Sequence, residues 1–105
     1  MTVAYKVLRT AKADEQIRDI IFYREEVTGS VDSALSLLDK LEEGIRQLSV
    51  FPDSGAPPRY AALRARGFRV LIIEKHLVFY KVDHESETVT VYAVVDGRRD
   101  YLNLI

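Results

Sequence analysis

The segment FPDSGAPP, residues 51–58, contains all three prolines of the 105-residue chain. Proline lacks a backbone donor and has a fixed φ, so neither a helix interior nor a central strand can run through this segment. Before it, apolar residues recur at helical spacing, whereas after it they alternate with polar residues as in strands. This division into a mainly helical half and a mainly β half predicts an α+β fold.

The half before the prolines predicts one strand and two helices. Residues 2–10 alternate apolar and polar side chains, as a strand does, and the helical spacing covers 11–27 and 31–50. Thr10 and Ser30 precede these helices and are of the type whose hydroxyl caps a first turn. Because the break between the helices is short, they should form an antiparallel hairpin.

The half after the prolines predicts three strands, at 68–74, 76–83 and 88–96. Short links favour antiparallel pairing of consecutive strands, so the order β-α-α-β-β-β places a helical hairpin on one face of an antiparallel sheet. The other face is expected to stay partly open. The residues predicted to form the core are Ile17, Ile21, Leu35, Leu38, Leu41, Ile45, Leu48, Phe51, Val78 and Val91.

Length and composition favour one domain spanning residues 1–105, in the cytoplasm. The chain has no cysteine, and no stretch has the roughly 20 apolar residues that a membrane helix needs. The N-terminus lacks the apolar core of a signal peptide. Net charge is −1, but residues 1–58 have 7 Lys and Arg against 10 Asp and Glu, and residues 59–105 have 8 against 6. A local basic region can therefore meet an anionic partner.

The chain lacks the residues that most kinds of enzyme catalysis require. Thiol catalysis is excluded by the absence of cysteine, and His76 and His84 lack metal-ligand spacing and are expected on the surface. No glycine-rich phosphate loop is present, and the paired acids at 25–26 and 42–43 belong to exposed helix faces. We expect neither a metal site nor a cofactor.

Arginine and tyrosine remain as candidate binding residues, because guanidinium groups clamp phosphates and tyrosines stack on bases. In an antiparallel meander, the basic segment that enters the second strand and the two arginines after the fourth could lie near each other. The alternatives are a solvated basic loop and arginines that pair with Asp96 or Asp100. The predicted binding residues are Arg64, Arg66, Arg69, Arg98, Arg99 and Tyr101.

Four stretches together resemble the RelE/ParE superfamily of toxins from type II toxin–antitoxin modules, of the plasmid-stabilisation type. They are ADEQIRDIIFYREEV in the first helix, IRQLSVFPDSG at the end of the second, HLVFYKVD, and the terminal VVDGRRDYLNLI. The resemblance covers nearly the whole chain. It implies a RelE/ParE-like fold and a cognate antitoxin protein as partner, lying against the open sheet face or the helical hairpin.

The superfamily has two mechanistic arms. RelE-like members are mRNA interferases that cut mRNA in the ribosome, whereas ParE-like members bind and poison DNA gyrase without chemistry of their own. Where RelE-like chains have a catalytic strand arginine, HLVFY has Leu77; GRRD matches another such arginine at Arg99. The downstream tyrosine is not matched, because Ile105 falls near its place and Tyr101 comes earlier.

The pattern is therefore more similar to the ParE-like arm, and this resemblance implies a gyrase inhibitor that needs no chemistry of its own. One alternative is a metal-independent, ribosome-dependent mRNA endonuclease that uses Arg69, Arg99 and Tyr101. Another is a non-toxic relative that still binds an antitoxin.

Overall fold

The computed structural model describes residues 4–105. The elements are β1 (Lys6–Arg9), α1 (Ala11–Thr28), α2 (Val31–Gln47), α3 (Ala61–Ala65), β2 (Arg69–Ile73), β3 (His76–Asp83), β4 (Thr88–Asp96) and a 3-10 helix (Leu102–Leu104). The predicted order is confirmed, and the short helix α3 is added to it. The first residues of the strand predicted at 2–10 lie outside the described part of the chain.

Both predicted helix caps are present. The Thr10 hydroxyl accepts a hydrogen bond from the backbone N–H of Ala13 at 3.1 Å, and the Ser30 hydroxyl accepts one from Ser33 at 3.0 Å. Gly29 ends α1 with a φ of 67°, a left-handed conformation that suits glycine. None of the helices within residues 4–105 combines the length and apolarity needed to cross a membrane.

The sheet has four strands in the order β1-β4-β3-β2. The predicted antiparallel pairing of the last three strands is confirmed, with Arg69 opposite Tyr80 and His76 opposite Asp96. β1 pairs with β4 in the parallel direction, starting with Lys6 beside Thr88, so the sheet as a whole is mixed. A register shift between Phe79 and Tyr80 bends the centre of the sheet.

The helical hairpin packs on one face of this sheet. The hairpin-side core contains Ala13, Ile17, Leu37, Leu41, Ile45, Leu48, Val78, Tyr80, Val89, Val91 and Val94. Two predicted core residues are wrong, since Leu35 is 50% exposed and Phe51 is 61% exposed. On α2 the buried stripe passes through Leu37, about 200° around the helix from Leu35. Phe51 lies beyond the end of α2, which stops three residues before the predicted position 50.

The opposite face of the sheet is more covered than the sequence predicts. α3 and the C-terminal segment fold over it and form a second core, the tail-side cluster, made of Leu63, Phe68, Val70, Phe79, Ala93, Val95 and Tyr101. Gln16 fastens the C-terminal segment. Its amide nitrogen donates to the carbonyl of Leu104, and its amide oxygen accepts from the N–H of Val94, both at 2.9 Å. The sheet thus lies between two apolar layers.

Candidate functional site

Two of the predicted binding arginines, Arg64 and Arg69, line one groove of about 350 Å³ beside the start of β2. Both guanidinium groups are held by backbone carbonyls. Arg64 donates to the carbonyls of Pro58 and Arg59, each at 2.8 Å, and Arg69 donates to those of Asp53, at 2.8 Å, and Gly55. These bonds fasten the proline-rich loop, so both side chains have a structural role whatever else they bind.

Arg66 lies beside a lysine that the sequence analysis does not single out. The guanidinium carbon of Arg66 is 5.1 Å from the centre of the Phe68 ring, and the Lys81 ammonium is 4.6 Å from the same centre. Lys81 is also 5.3 Å from the centre of the Tyr92 ring. We call these four residues the basic–aromatic surface. A lysine inside the otherwise apolar run LVFYKV is the signal that could have revealed this surface.

Arg98 and Arg99 follow the end of β4, and their side chains have different neighbours. Arg98 makes an ion pair with Asp96 at 3.2 Å, the pairing that the sequence analysis keeps as an alternative, although its side chain is 71% exposed. The hydrogen bond from Arg98 lowers the pKa of the Asp96 carboxyl. Arg99 instead lines a small cleft of about 170 Å³ with Gln16, Asp19 and Leu104.

The expectation that these two groups of arginines lie near each other is wrong. β2 and β4 are both antiparallel to β3, so they run in the same direction, and the start of β2 is far from the end of β4. Arg69 is opposite Tyr80 on β3, whereas Asp96 is opposite His76. Along the strand direction, the start of β2 and the end of β4 are therefore four residues, or about 13 Å, apart.

The predicted site residue Tyr101 is part of the tail-side cluster and is only 5% exposed. Its ring centre lies 5.4 Å from those of Phe79 and Tyr60. Burial raises the pKa of the Tyr101 hydroxyl. Leu77, at the place of the RelE-like strand arginine, is half-buried against the same cluster. In this conformation neither residue presents a polar group or a free ring to a nucleotide.

The two histidines have different environments. His84 is exposed, as predicted, and bridges the Tyr5 hydroxyl at 2.8 Å and the Asp53 carboxylate at 3.2 Å. The prediction for His76 is wrong, because this side chain is 3% exposed beneath the end of α1. Its Nδ1 has no partner among the described residues, and burial lowers the pKa of its imidazole.

An apolar groove runs along the outer side of the helical hairpin. It has a volume of about 430 Å³, and Ile17, Ile21, Phe22 and Leu38 provide its apolar walls. Phe22 is 60% exposed there, and Leu35 nearby on α2 is 50% exposed. The charged rim consists of Arg9, Asp14, Arg18 and Glu42. Exposed apolar side chains with a polar rim are typical of a protein-binding groove.

Known proteins that are similar to this chain share its fold. The family model described as the ParE toxin of the type II toxin–antitoxin system parDE matches residues 7–101. The chromosomal ParDE system from P. aeruginosa superposes with a TM-score of 0.72 at 16% identity, covering 89% of this chain and 96% of that one. The RelBE2 toxin–antitoxin complex from Mycobacterium tuberculosis gives 0.61 at 18% identity, with 91% and 94% covered. No curated protein matches the sequence.

Proposed function

This chain belongs to the ParE toxin family of type II toxin–antitoxin systems, and we propose that it inhibits growth by binding and poisoning DNA gyrase. A cognate antitoxin protein neutralises it by binding. The protein acts through its surface and carries out no reaction of its own. It is expected to work in the cytoplasm, where gyrase and DNA are found.

The observation that carries this proposal is the filled tail-side face of the sheet. A RelE-like nuclease needs an arginine and a stacking tyrosine directed at the mRNA. Here the matching strand position, Leu77, packs into the tail-side cluster, and Tyr101 is buried in it. The remaining candidates, Arg69 and Arg99, lie near opposite ends of the sheet and line two separate grooves. Inhibition of gyrase by binding does not require catalytic groups to be brought together.

The hairpin groove supports the proposed antitoxin contact. An amphipathic segment can place apolar side chains between α1 and α2, where Phe22 and Leu38 are accessible. The tail-side face is already covered by α3 and the C-terminal segment, which makes it the less favourable of the two places considered from sequence. An antitoxin helix with apolar anchors at spacings of about three and four residues fits this groove.

Two assays on the pure protein test the choice of target. In a supercoiling assay with gyrase and relaxed plasmid, the toxin should block supercoiling and trap cleaved DNA. In a ribosome-bound translation assay, mRNA should remain intact. Cleaved mRNA with unaffected supercoiling would contradict the gyrase proposal and favour the endonuclease. Absence of both effects, together with harmless expression in cells, would favour the non-toxic relative.

The antitoxin contact has its own test. Phe22→Asp should abolish binding of the antitoxin without unfolding the toxin, because the ring is largely exposed in the free protein. Leu8→Asp is a control on the other side of the molecule, since Leu8 is 42% exposed on the edge strand β1. Binding is measured by calorimetry on both variants. If Phe22→Asp binds as the wild type does, the hairpin groove is not the docking site.

A further inference from the structure

We propose that the basic–aromatic surface, Arg66, Phe68, Lys81 and Tyr92, binds the phosphate backbone of double-stranded DNA. The toxin would then contact the nucleic acid as well as the enzyme. That this DNA is the segment held by gyrase rests on the proposed function. The binding itself rests on the geometry and the charges of the surface.

The surface lies on the tail-side face of the sheet, beyond the part covered by the C-terminal segment. Lys81 is opposite Thr90 on β4, and Thr90 is in turn beside Leu8 on β1. Two residues further along the same face, Thr88 is beside Lys6, which is exposed. Neighbouring strands are about 4.8 Å apart, so the two steps from β3 to β1 carry this band of cations and hydroxyls across roughly 10 Å of the sheet. This length spans several phosphates of one DNA strand.

The cations of this band are available to a ligand. Among residues 4–105, neither Arg66 nor Lys81 makes an ion pair, whereas Arg9, Arg24 and Arg98 elsewhere do. Phe68 and Tyr92 pack edge to face at 5.5 Å and form a fixed floor under the Lys81 ammonium. Cation–π contacts hold the positive groups in place and leave their outer N–H groups free to donate.

One acid, Asp83, lines the groove beside Lys81. Its carboxylate accepts hydrogen bonds from the backbone N–H groups of Glu85 and Ser86 at 3.0 and 3.2 Å. These bonds direct the carboxylate into the turn between β3 and β4. Across the sheet, Thr90 contributes a hydroxyl group, a frequent donor to phosphate oxygens. The Thr88 hydroxyl instead donates to the carbonyl of Ser86 at 3.1 Å.

The shape of the surface favours a backbone over a base. The groove beside Lys81 is shallow and wide, with a volume of about 460 Å³, and Tyr92 is the aromatic residue that lines it. Phe68 is only 4% exposed, and the Lys81 ammonium lies 5.3 Å from the centre of the half-buried Tyr92 ring, so the surface offers a base little aromatic area for stacking. Recognition without base contacts predicts binding that does not depend on sequence but depends strongly on salt.

Fluorescence anisotropy with a short labelled DNA duplex tests the proposal on the full-length protein. Affinity is measured between about 50 and 200 mM salt. The test variant is Arg66→Gln with Lys81→Gln. Its matched control is Lys12→Gln with Arg46→Gln, two exposed cations on the helical hairpin. Removing two phosphate contacts should reduce the slope of log K against log salt by about 1.8, while the control keeps the wild-type slope.

Three results would overturn the proposal: no binding by the wild type, equal slopes for the two double variants, or tighter binding of an RNA duplex of the same sequence. Polyglutamate that competes as well as unlabelled DNA would also overturn it, because the surface would then accept any polyanion. Gyrase inhibition is measured on the same preparations. A toxin that inhibits gyrase without binding DNA overturns only this inference, and one that binds DNA without inhibiting gyrase contradicts only the proposed function.

Discussion

Replacing Tyr80 by phenylalanine should destabilise the fold by removing a single oxygen atom. The Tyr80 side chain is fully buried in the hairpin-side core, and its hydroxyl accepts a hydrogen bond from the N–H of Gly55 at 2.9 Å. Gly55 is itself buried, so this N–H would lose its acceptor without gaining water. Leaving a buried donor unsatisfied costs about 1–3 kcal/mol. The ring still fills the same space, so no cavity adds to this cost.

Urea unfolding followed by circular dichroism measures the effect. With a slope of about 1–3 kcal/mol per molar urea, the midpoint should fall by on the order of 1 M. Tyr92→Phe is the matched control, because the Tyr92 hydroxyl has no hydrogen-bond partner within the part of the chain that the structure describes. Its free energy of unfolding should change by less than about 0.5 kcal/mol. Equal stability of the two variants would refute the assignment of the Tyr80 hydroxyl as a support of the proline-rich loop.

Other positions give equally direct tests. Leu41→Ala, at a fully buried site, should cost about 2–5 kcal/mol in chemical unfolding; a cost below about 1 kcal/mol would mean that the core around α2 collapses to fill the space. Burial lowers the pKa of His76 in the folded protein, so the unfolded state binds the proton at a higher pH than the folded state does. The free energy of unfolding should therefore fall as pH decreases below about 6.5. This loss should be smaller in His76→Gln. Arg98→Ala with Arg99→Ala should leave the melting temperature within a few degrees, since exposed ion pairs contribute only about 0–1 kcal/mol. Gyrase inhibition by that double variant should decrease, and full inhibition would make the two arginines dispensable.

The long elements could be predicted from the sequence because their patterns are regular. The caps at Thr10 and Ser30 and the antiparallel order of the last three strands follow from local rules, and both are confirmed. The buried face of α2 could not be chosen reliably. Leucines at 35, 37, 38 and 41 occupy several sides of that helix, so periodicity alone does not select the inner stripe.

The candidate site was harder to predict, because its parts depend on loops. The bonds from Arg69 to two carbonyls exist only because the proline-rich segment folds back against β2, where Ala56 and Val70 exchange hydrogen bonds of 2.9 Å. The spacing of apolar residues in the sequence does not predict such a contact between a loop and a strand. The distance between the two arginine groups could have been predicted. Two successive antiparallel connections make β4 run in the same direction as β2, so the start of β2 and the end of β4 lie at opposite ends of the sheet. The sequence pattern places Tyr101 among the binding residues because it does not reveal that the C-terminal segment covers the sheet.

The parallel pairing of β1 with β4 has a consequence for the order in which the protein folds. β1 is the first strand to be synthesised, yet its neighbour in the sheet is the last, with Lys6 beside Thr88 and Thr10 bonded to Val91. A nascent chain can form the helical hairpin and join β2 to β3, but β1 has no partner strand until β4 has been made. Contacts so distant along the chain slow folding. Under the proposed function, such late closure would leave time for an antitoxin to bind the helical hairpin before the sheet of the toxin is complete.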